Sequence, residues 1–348
     1  MANYDISIKA SASLTFNNLS MKILVTGGAG YIGSHTVRKL KQAGHEIIIF
    51  DNLSSGHLDA IKDYELFVGD LANKEDLKRV FSENNFEAVV HFAGSIEAGE
   101  SMTDPKRFFN NNFINGLNLL EAMLEHDVKK IVFSSTAAVY GEPEMMPIEE
   151  NAPKNPTNVY GQTKLMFEQV LDAYDYAYGI KSVALRYFNA TGADPSGEIG
   201  PDHKNKTHLL TLVLLTALGK RDAIKIFGTD FPTPDGTGIR DYVHVNDLAD
   251  AHVLALDYLQ KNNLSNKFNL GNEKGTSVRE VIEMSKKITG IDFKVIEEPR
   301  RDGDPADLYA SSQKAQTILD WKPKFPSMEQ IIETAWNWHK KHPDGFEK

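Results

Sequence analysis

Residues 22–51, KILVTGGAGYIGSHTVRKLKQAGHEIIIFD, decide the fold. An apolar run ends in glycines, a stretch with helical spacing follows and stops at Gly44, and a second apolar run ends in Asp51. Strand, glycine turn, helix and strand in that order predict a right-handed βαβ crossover. The rhythm continues through ELFVGD (65–70), ANKEDLKRVFSENN (72–85), AVVHFAG (88–94), KIVFSST (130–136) and SVALRYFN (182–189). Repeated units of this kind predict an α/β fold built on a doubly wound, parallel, Rossmann-type sheet. Such sheets bind ligands beyond the carboxyl ends of their strands, where the small and polar residues of this sequence fall.

After Asn189 the alternation breaks into Gly- and Pro-rich loops, GADPSGEIGPD (192–202) and GTDFPTPDGTG (228–238). The reading is a dinucleotide-binding domain over 21–189 and a smaller C-terminal α/β substrate domain over 190–348. The stretch at about 240–260, within IRDYVHVNDLADAHVLAL, is expected to return one strand and one helix to the main sheet. Residues 1–20 lack the basic and apolar regions of a signal peptide and are expected to be a flexible extension.

Composition narrows the function. The chain has 348 residues, 41% hydrophobic and 25% charged, with a formal charge of −10, a pI of about 5.6 and no Lys/Arg-rich run. That argues against a sequence-independent nucleic-acid binder, which needs a basic surface. The absence of cysteine removes disulfides, thiolate metal sites and a cysteine nucleophile, and fits a cytoplasmic protein. The longest apolar run, LLTLVLLTAL (209–218), falls short of the roughly 18 residues of a membrane span. No metal and no membrane partner are expected.

Gly27, Gly30 and Gly33 stand at three-residue spacing between the first strand and the first helix. The first permits a tight turn, the second lets backbone approach a pyrophosphate, and the third allows close helix–strand packing. Helix N-terminal amides would then face the phosphates. Asp51, eighteen residues after Gly33, can accept from both ribose hydroxyls of an adenosine and would repel a 2′-phosphate, which favours NAD over NADP. Asp70, ending the third strand, is placed to meet the adenine, and HFAG (91–94) to let the cofactor pass close to backbone.

Tyr160 and Lys164 lie four residues apart on one helix face. Of the twelve tyrosines, only Tyr160 has a lysine four residues later. A free tyrosine, pKa about 10, is a poor base at neutral pH. A neighbouring ammonium and the positive nicotinamide would favour its phenolate. Thr136, a hydroxyl at the end of the KIVF strand, would hydrogen-bond the same reacting oxygen.

The glycine fingerprint, the strand-end hydroxyl and YxxxK together resemble the extended short-chain dehydrogenase/reductase family. Within it the chain resembles the UDP-glucose 4-epimerase branch, on GGAGYIGSH, FDNLSSGH, HFAG…GES, FSSTAAVYGE, NPTNVYGQTK, RYFNATGADPSGEIG, DGTGIRDYVHV, FNLGN and PRRDGDPADL. The resemblance runs from Met21 to the C-terminus. It implies an isomerase that interconverts UDP-galactose and UDP-glucose. Tyr160 takes the 4-hydroxyl proton while hydride passes to NAD, and the 4-keto sugar turns over before reduction on its other face. Lys164 tunes Tyr160 and binds the nicotinamide ribose, and Thr136 orients the oxygen.

By the same resemblance, Tyr31 and Ile32 touch the pyrophosphate, and Asp51, Asn52, Leu53, Ser54, Ser55 and Gly56 the adenosine ribose. Asp70 and Leu71 lie at the adenine. Phe92, Ala93, Gly94, Ser95, Ile96 and Asn111 lie farther along the cofactor, and Phe188 meets the nicotinamide. Asn189, His208, Arg240, Arg301 and Asp304 would hold the nucleotide sugar, Phe227 would stack on uracil, and Leu308 would gate sugar size. The two arginines suit a diphosphate. Leu308, smaller than an aromatic, implies room for N-acetylated UDP-hexosamines. The chain departs from the family pattern at Ser95-Ile96-Glu97, where many members carry a lysine, and at His208, where asparagine is common.

Sister activities need other groups. A 4,6-dehydratase places Asp and Glu directly after the strand-end threonine, and a decarboxylase a glutamate in the second place; both are alanine here, Ala137 and Ala138. A non-catalytic NAD sensor predicts loss of the tyrosine or the lysine. Family members also pair as homodimers, which implies a bundle formed by the helix bearing Tyr160 and the one before it, NGLNLLEAMLEH (115–126).

Overall fold

A computed structural model of the chain describes residues 20–301 and 304–346. The expected extension over residues 1–20 lies outside them, apart from Ser20. Six parallel strands follow the sequence pattern: β1 (Lys22–Thr26), β2 (Glu46–Asp51), β3 (Glu65–Val68), β4 (Ala88–His91), β5 (Lys130–Ser134) and β6 (Lys181–Tyr187). A seventh, β7 (Asn266–Leu270), closes one edge, giving the order β7-β6-β5-β4-β1-β2-β3, parallel throughout.

The strands sort their side chains by the two-residue period of a pleated sheet. Ile23, Val25, Ile47, Ile49 and Val90 join one core, with Val37 and Leu40 of helix α1 (Tyr31–Gln42). Leu24, Ile48, Phe50, Val89 and Phe133 join the other. There they meet helices α2 (Lys74–Ser82), α3 (Asn115–Glu125) and α4 (Val159–Tyr178) through Leu77, Val80, Leu119, Met123, Phe167 and Leu171. With apolar side chains on both faces, the strands read as continuous hydrophobic runs. Full burial of each such Val, Ile, Leu or Phe is worth roughly 1.5–3 kcal/mol. The sequence-based fold holds.

The stretch at 240–260 behaves differently from the expectation. Its helix, α5 (Val245–Asn262), does return to the main sheet, packing Leu248, Ala251, Ala255 and Leu256 into the first core. Its strand does not. Tyr242–His244 pairs instead with Asn189–Thr191 in a separate two-stranded sheet, and the returning strand is β7. The reason is length: the short apolar step YVH leads directly into α5, whereas NKFNL supplies a full edge strand beside β6.

The C-terminal portion builds its own small cores. Strand Ile224–Phe227 pairs with Val295–Glu298, and strand Ile239–Arg240 lies between Thr276–Ser277 and Asp307–Leu308. Helices Leu209–Ala217 and Val278–Thr289 cover the first of these pairs through Val213, Ala217 and Ile282, which pack with Ile224 and Ile226. They join helix Met328–Lys341 through Leu210, Leu214, Val281, Ile331 and Ile332. Trp338 is buried and packs on His342 and Phe346.

Candidate active site

The β1–α1 turn carries the spaced glycines. Gly27 sits at φ +72°, and a Cβ there would lie 2.5 Å from Ala93 N. A Cβ on Gly33 would lie 2.2 Å from Gly27 O, so helix and turn are in direct contact. A Cβ on Gly30 would meet only Gly27 O, at 3.3 Å, and no side chain caps α1. The first-turn amides are thus left facing a cradle that the chain does not fill, which suits an anion. Tyr31 reaches that cradle only by its peptide. Its hydroxyl donates to Gly192 O at 2.6 Å, and its ring packs edge-on against His203. Ile32 turns into the first core.

Asp51 ends β2, buried, and its carboxylate accepts from Ala29 N (3.0 Å) and Leu53 N (2.8 Å). Burial pushes its pKa up against these two bonds. Each oxygen keeps a lone pair for a ribose hydroxyl. Leu53 takes a left-handed φ of 57°, Asn52 Oδ1 accepts from Ser54 N, and Ser55 and Gly56 complete the loop over Ala29. Asn52 Nδ2 donates to Asp70 Oδ2 at 2.8 Å, which joins the segments beyond the β2 and β3 strand ends. Leu71 lies in the second core at 5% exposure, so its side chain is not available to a ligand.

Beyond β4, Phe92 packs on His252 and the first core, and Ala93 N bonds Thr26 O, so these two offer backbone only. Ser95 is clamped by two asparagines from a π-helical turn, Phe109–Ile114. Asn112 accepts from Ser95 N (2.7 Å) and donates to Ser95 O (3.0 Å), while Asn111 Nδ2 donates to Ser95 Oγ (2.9 Å). The sequence reading chose Asn111 and missed Asn112; the NNN run at 110–112 was the available signal. Ile96 is exposed at the rim.

The reacting end forms where α4 meets the β5 exit. Asn158 caps α4 by accepting from Gly161 N at 2.8 Å. A Cβ on Gly161 would lie 2.6 Å from Ala138 O, so the helix start lies against the short turn Ala137–Tyr140. That contact brings Tyr160 to Thr136, whose hydroxyl also accepts from Ala138 N. Lys164 is buried one turn on, and Nζ donates to Ser134 O at 2.8 Å. It lies 6.0 Å from the Tyr160 ring centre. A Cβ on Gly94 would lie 3.9 Å from the same Nζ.

Burial pushes Tyr160 up to about 12, against the pull of the Thr136 hydroxyl. Burial brings Lys164 down to about 8, partly offset by the Glu168 carboxylate. The sequence reading expected the ammonium to favour the phenolate; in the chain alone burial is the dominant influence on Tyr160. Glu97 adds to the upward push on Tyr160 and also acts on His208. A carboxylate therefore faces the reacting end at a position noted in the sequence only for its missing lysine.

Beneath the site lies a network that the sequence reading did not find. Arg186 and Glu168, 2% and 1% exposed, pair at 2.5 and 3.0 Å. Ser135 Oγ donates to Glu168 at 2.5 Å, and Arg186 donates to Tyr140 OH at 2.8 Å. The network ties the Thr136 strand end to the helix bearing Tyr160.

The remaining candidates gather across the cleft. Phe188 and Leu308 pack against one small core with Ala137. Leu308 pairs in register with Arg240, and Asn189 bonds the peptide of Asp241. Arg240 and Asp304 form an ion pair at 3.7 Å. Arg301 stacks over the Phe227 ring at 3.8 Å, so the two are partners in this state. His208 stands 4.5 Å from the His203 ring, its Nδ1 buried without a partner.

A family model described as the NAD dependent epimerase/dehydratase family matches residues 23–271. The chain is 53% identical over 326 residues to the UDP-glucose 4-epimerase of Halalkalibacterium halodurans, covering 94% of this chain and 98% of that protein. Among solved structures, a UDP-glucose 4-epimerase superposes with a TM-score of 0.92 at 49% identity, over 94% of this chain and all (100%) of that one. The Bifidobacterium longum UDP-glucose 4-epimerase in complex with NAD+ and UDP gives 0.88 at 40% identity, over 93% and 100%. The Campylobacter jejuni UDP-Glc/GlcNAc 4-epimerase gives 0.82 at 45% identity, over 92% and 100%.

Proposed function

Because the chain belongs to the NAD dependent epimerase/dehydratase family, we propose that it is an epimerase that interconverts UDP-galactose and UDP-glucose, with NAD as its resident cofactor. The observation that carries this reading is the convergence of Thr136, Tyr160 and Lys164 at the β5 exit, with alanine and no acid at positions 137 and 138.

The open space before Gly30, the uncapped start of α1 and the Asp51 carboxylate fit a dinucleotide. Gly27, Gly30 and Gly33 with the first-turn amides would hold its pyrophosphate, Asp51 its adenosine ribose and Lys164 the ribose nearer the reaction. Tyr160 removes the proton of the sugar 4-hydroxyl and later returns it, and Thr136 holds the same oxygen. Bringing a tyrosine from about 12 to neutral pH requires about 7 kcal/mol. The Lys164 ammonium, 6.0 Å from the ring centre, would supply only part of this. A second positive charge is needed. When bound, NAD+ supplies that charge together with reversible two-electron oxidation at C4.

Arg240 and Arg301 would take the diphosphate, which requires Arg301 to leave Phe227 so that the ring can meet uracil. Asp304 would accept from the ribose, and Asn189 and His208 would complete the contacts. Leu308 leaves room beside the sugar, so N-acetylated UDP-hexosamines are included as substrates, in keeping with the Campylobacter jejuni relative. The protein is placed in the cytoplasm, in keeping with its lack of cysteine. It acts as a homodimer through α3 and α4, where Tyr176 and Tyr178 of α4 and Ile114, just before α3, are exposed; sedimentation showing only monomer at micromolar concentration overturns that arrangement. No helix among the described residues is long and apolar enough to cross a membrane.

Incubation of the purified chain with UDP-galactose and no added NAD tests the function. UDP-glucose should form and should fall by about a hundredfold or more in Tyr160→Phe. UDP-N-acetylglucosamine should turn over in the same assay, and no turnover would remove it from the substrates. A 4-keto-6-deoxy product would overturn the assignment.

A further inference from the structure

Asn189, Arg240 and Leu308 come from three separate parts of the chain, and something must hold them in one geometry. All three adjoin Asp241, which is fully buried. Its peptide N–H donates to Leu308 O at 3.1 Å, and its carbonyl accepts from Asn189 N (3.3 Å) and Asn189 Nδ2 (2.9 Å). Its carboxylate accepts from Asn272 N (2.9 Å) and Ala310 N (3.1 Å). Asn272 in turn donates from Nδ2 to Tyr242 O at 2.5 Å. Residues 189, 240–242, 271–272 and 308–310 thus meet at one residue, Asn189 and Leu308 through its backbone and Asn272 and Ala310 through its carboxylate.

The backbone makes room for that carboxylate. A Cβ on Gly271 would lie 2.3 Å from Asp241 Oδ2, so any larger residue there displaces it. Burial pushes Asp241 up to about 7, with Glu273 adding to the rise and the peptide N–H bonds opposing it. Holding a charged group in such a place costs stability, which a purely packing residue would not.

We propose that Asp241 is the positioning residue of the nucleotide-sugar subsite, fixing Asn189, Arg240 and Leu308 relative to one another across the cleft. It touches neither the reacting atoms nor the cofactor cradle. It acts through Asn189 and Leu308, which its peptide bonds directly, and through Ala310, which sets the strand end carrying Leu308. The inference rests on the nucleotide-sugar reading of those residues.

Asp247 provides the internal comparison. It is also buried, and its carboxylate also accepts from two peptide groups, Lys324 N (2.8 Å) and Phe325 N (3.0 Å). Its partners carry no candidate substrate residue.

The test compares the wild-type chain with Asp241→Asn, Gly271→Ala and Asp247→Asn. The readouts are UDP binding by calorimetry, KM and kcat for UDP-galactose, bound NAD and Tm. Asp241→Asn leaves one buried N–H facing a donor and should raise the UDP Kd and the KM about tenfold or more, with kcat moved less and NAD retained. Gly271→Ala keeps the carboxylate but displaces it, and should act in the same direction; it carries the test if Asp241→Asn does not fold. Asp247→Asn should lower Tm with Kd and KM unchanged. Unchanged UDP affinity in Asp241→Asn or Gly271→Ala, or an equal loss in Asp247→Asn, overturns the role of Asp241. A wild-type chain that binds no UDP overturns the nucleotide-sugar reading itself.

Discussion

Tyr160 shows how much of the chemistry is set by what surrounds a residue. Its hydroxyl is disfavoured as a phenolate by burial and by Glu97, and favoured by Thr136. Replacing Glu97 with Gln removes a negative charge and leaves the other influences in place. Activity that depends on deprotonated Tyr160 rises with pH, so Glu97→Gln should move that limb to lower pH. The kcat profile of the variant checks this; an unmoved limb would show that Glu97 does not reach Tyr160 in the working enzyme. The Tyr160–Lys164 pair was legible in the sequence because helical periodicity alone puts residues four apart on one face. Glu97 was not, since its effect depends on a loop folding toward a helix about sixty residues away in the chain.

The helix α4 carries Tyr160 and Lys164, and its start is held by the Asn158 cap and the contact of Gly161 with Ala138 O. Gly161→Ala would place a Cβ 2.6 Å from that oxygen, which is backbone and gives way only if the helix or the turn moves. The separation of Tyr160 from Thr136 should then grow. A misplacement of about 1 Å can cost on the order of a hundredfold in rate, so kcat should fall steeply while UDP affinity holds. Steady-state kinetics with parallel UDP titration checks the split, and equal losses in both would point to a general loss of structure. The glycine turn and the strands were readable because each follows a local pattern. The Arg186–Glu168–Ser135 network was not, because its members come from a strand, a helix and a loop, and no spacing in the sequence marks them.

At the scale of the molecule, burial of neutral histidines governs the response to acid. Burial holds His35, His252 and His339 down to about 4, and His91, His203 and His244 down to about 3. In the unfolded chain each titrates near 6.5. Between about 6.5 and 4 the unfolded state therefore binds more protons, and stability is lost as pH falls through that window. Asp241 and Asp247, raised to about 7 and about 6, act in the opposite sense. They are outnumbered. Tm should drop as pH is lowered from 7 to 5, as calorimetry across that range would check; a flat or rising Tm would refute the balance. The sequence by itself determined the doubly wound sheet, its glycine cradle and the Tyr160–Lys164 pair, because all three arise from periodicity and turn chemistry within short stretches. It misassigned the strand within 240–260, since a short apolar step does not say which partner it will pair with. Only the tertiary structure decided that Tyr31 and Leu71 turn their side chains away from the cradle, that Glu97 acts on Tyr160, and that Asp241 gathers the far side of the cleft. Those outcomes depend on which buried polar groups find partners from distant parts of the chain, and unpaired burial is too costly for that choice to be local.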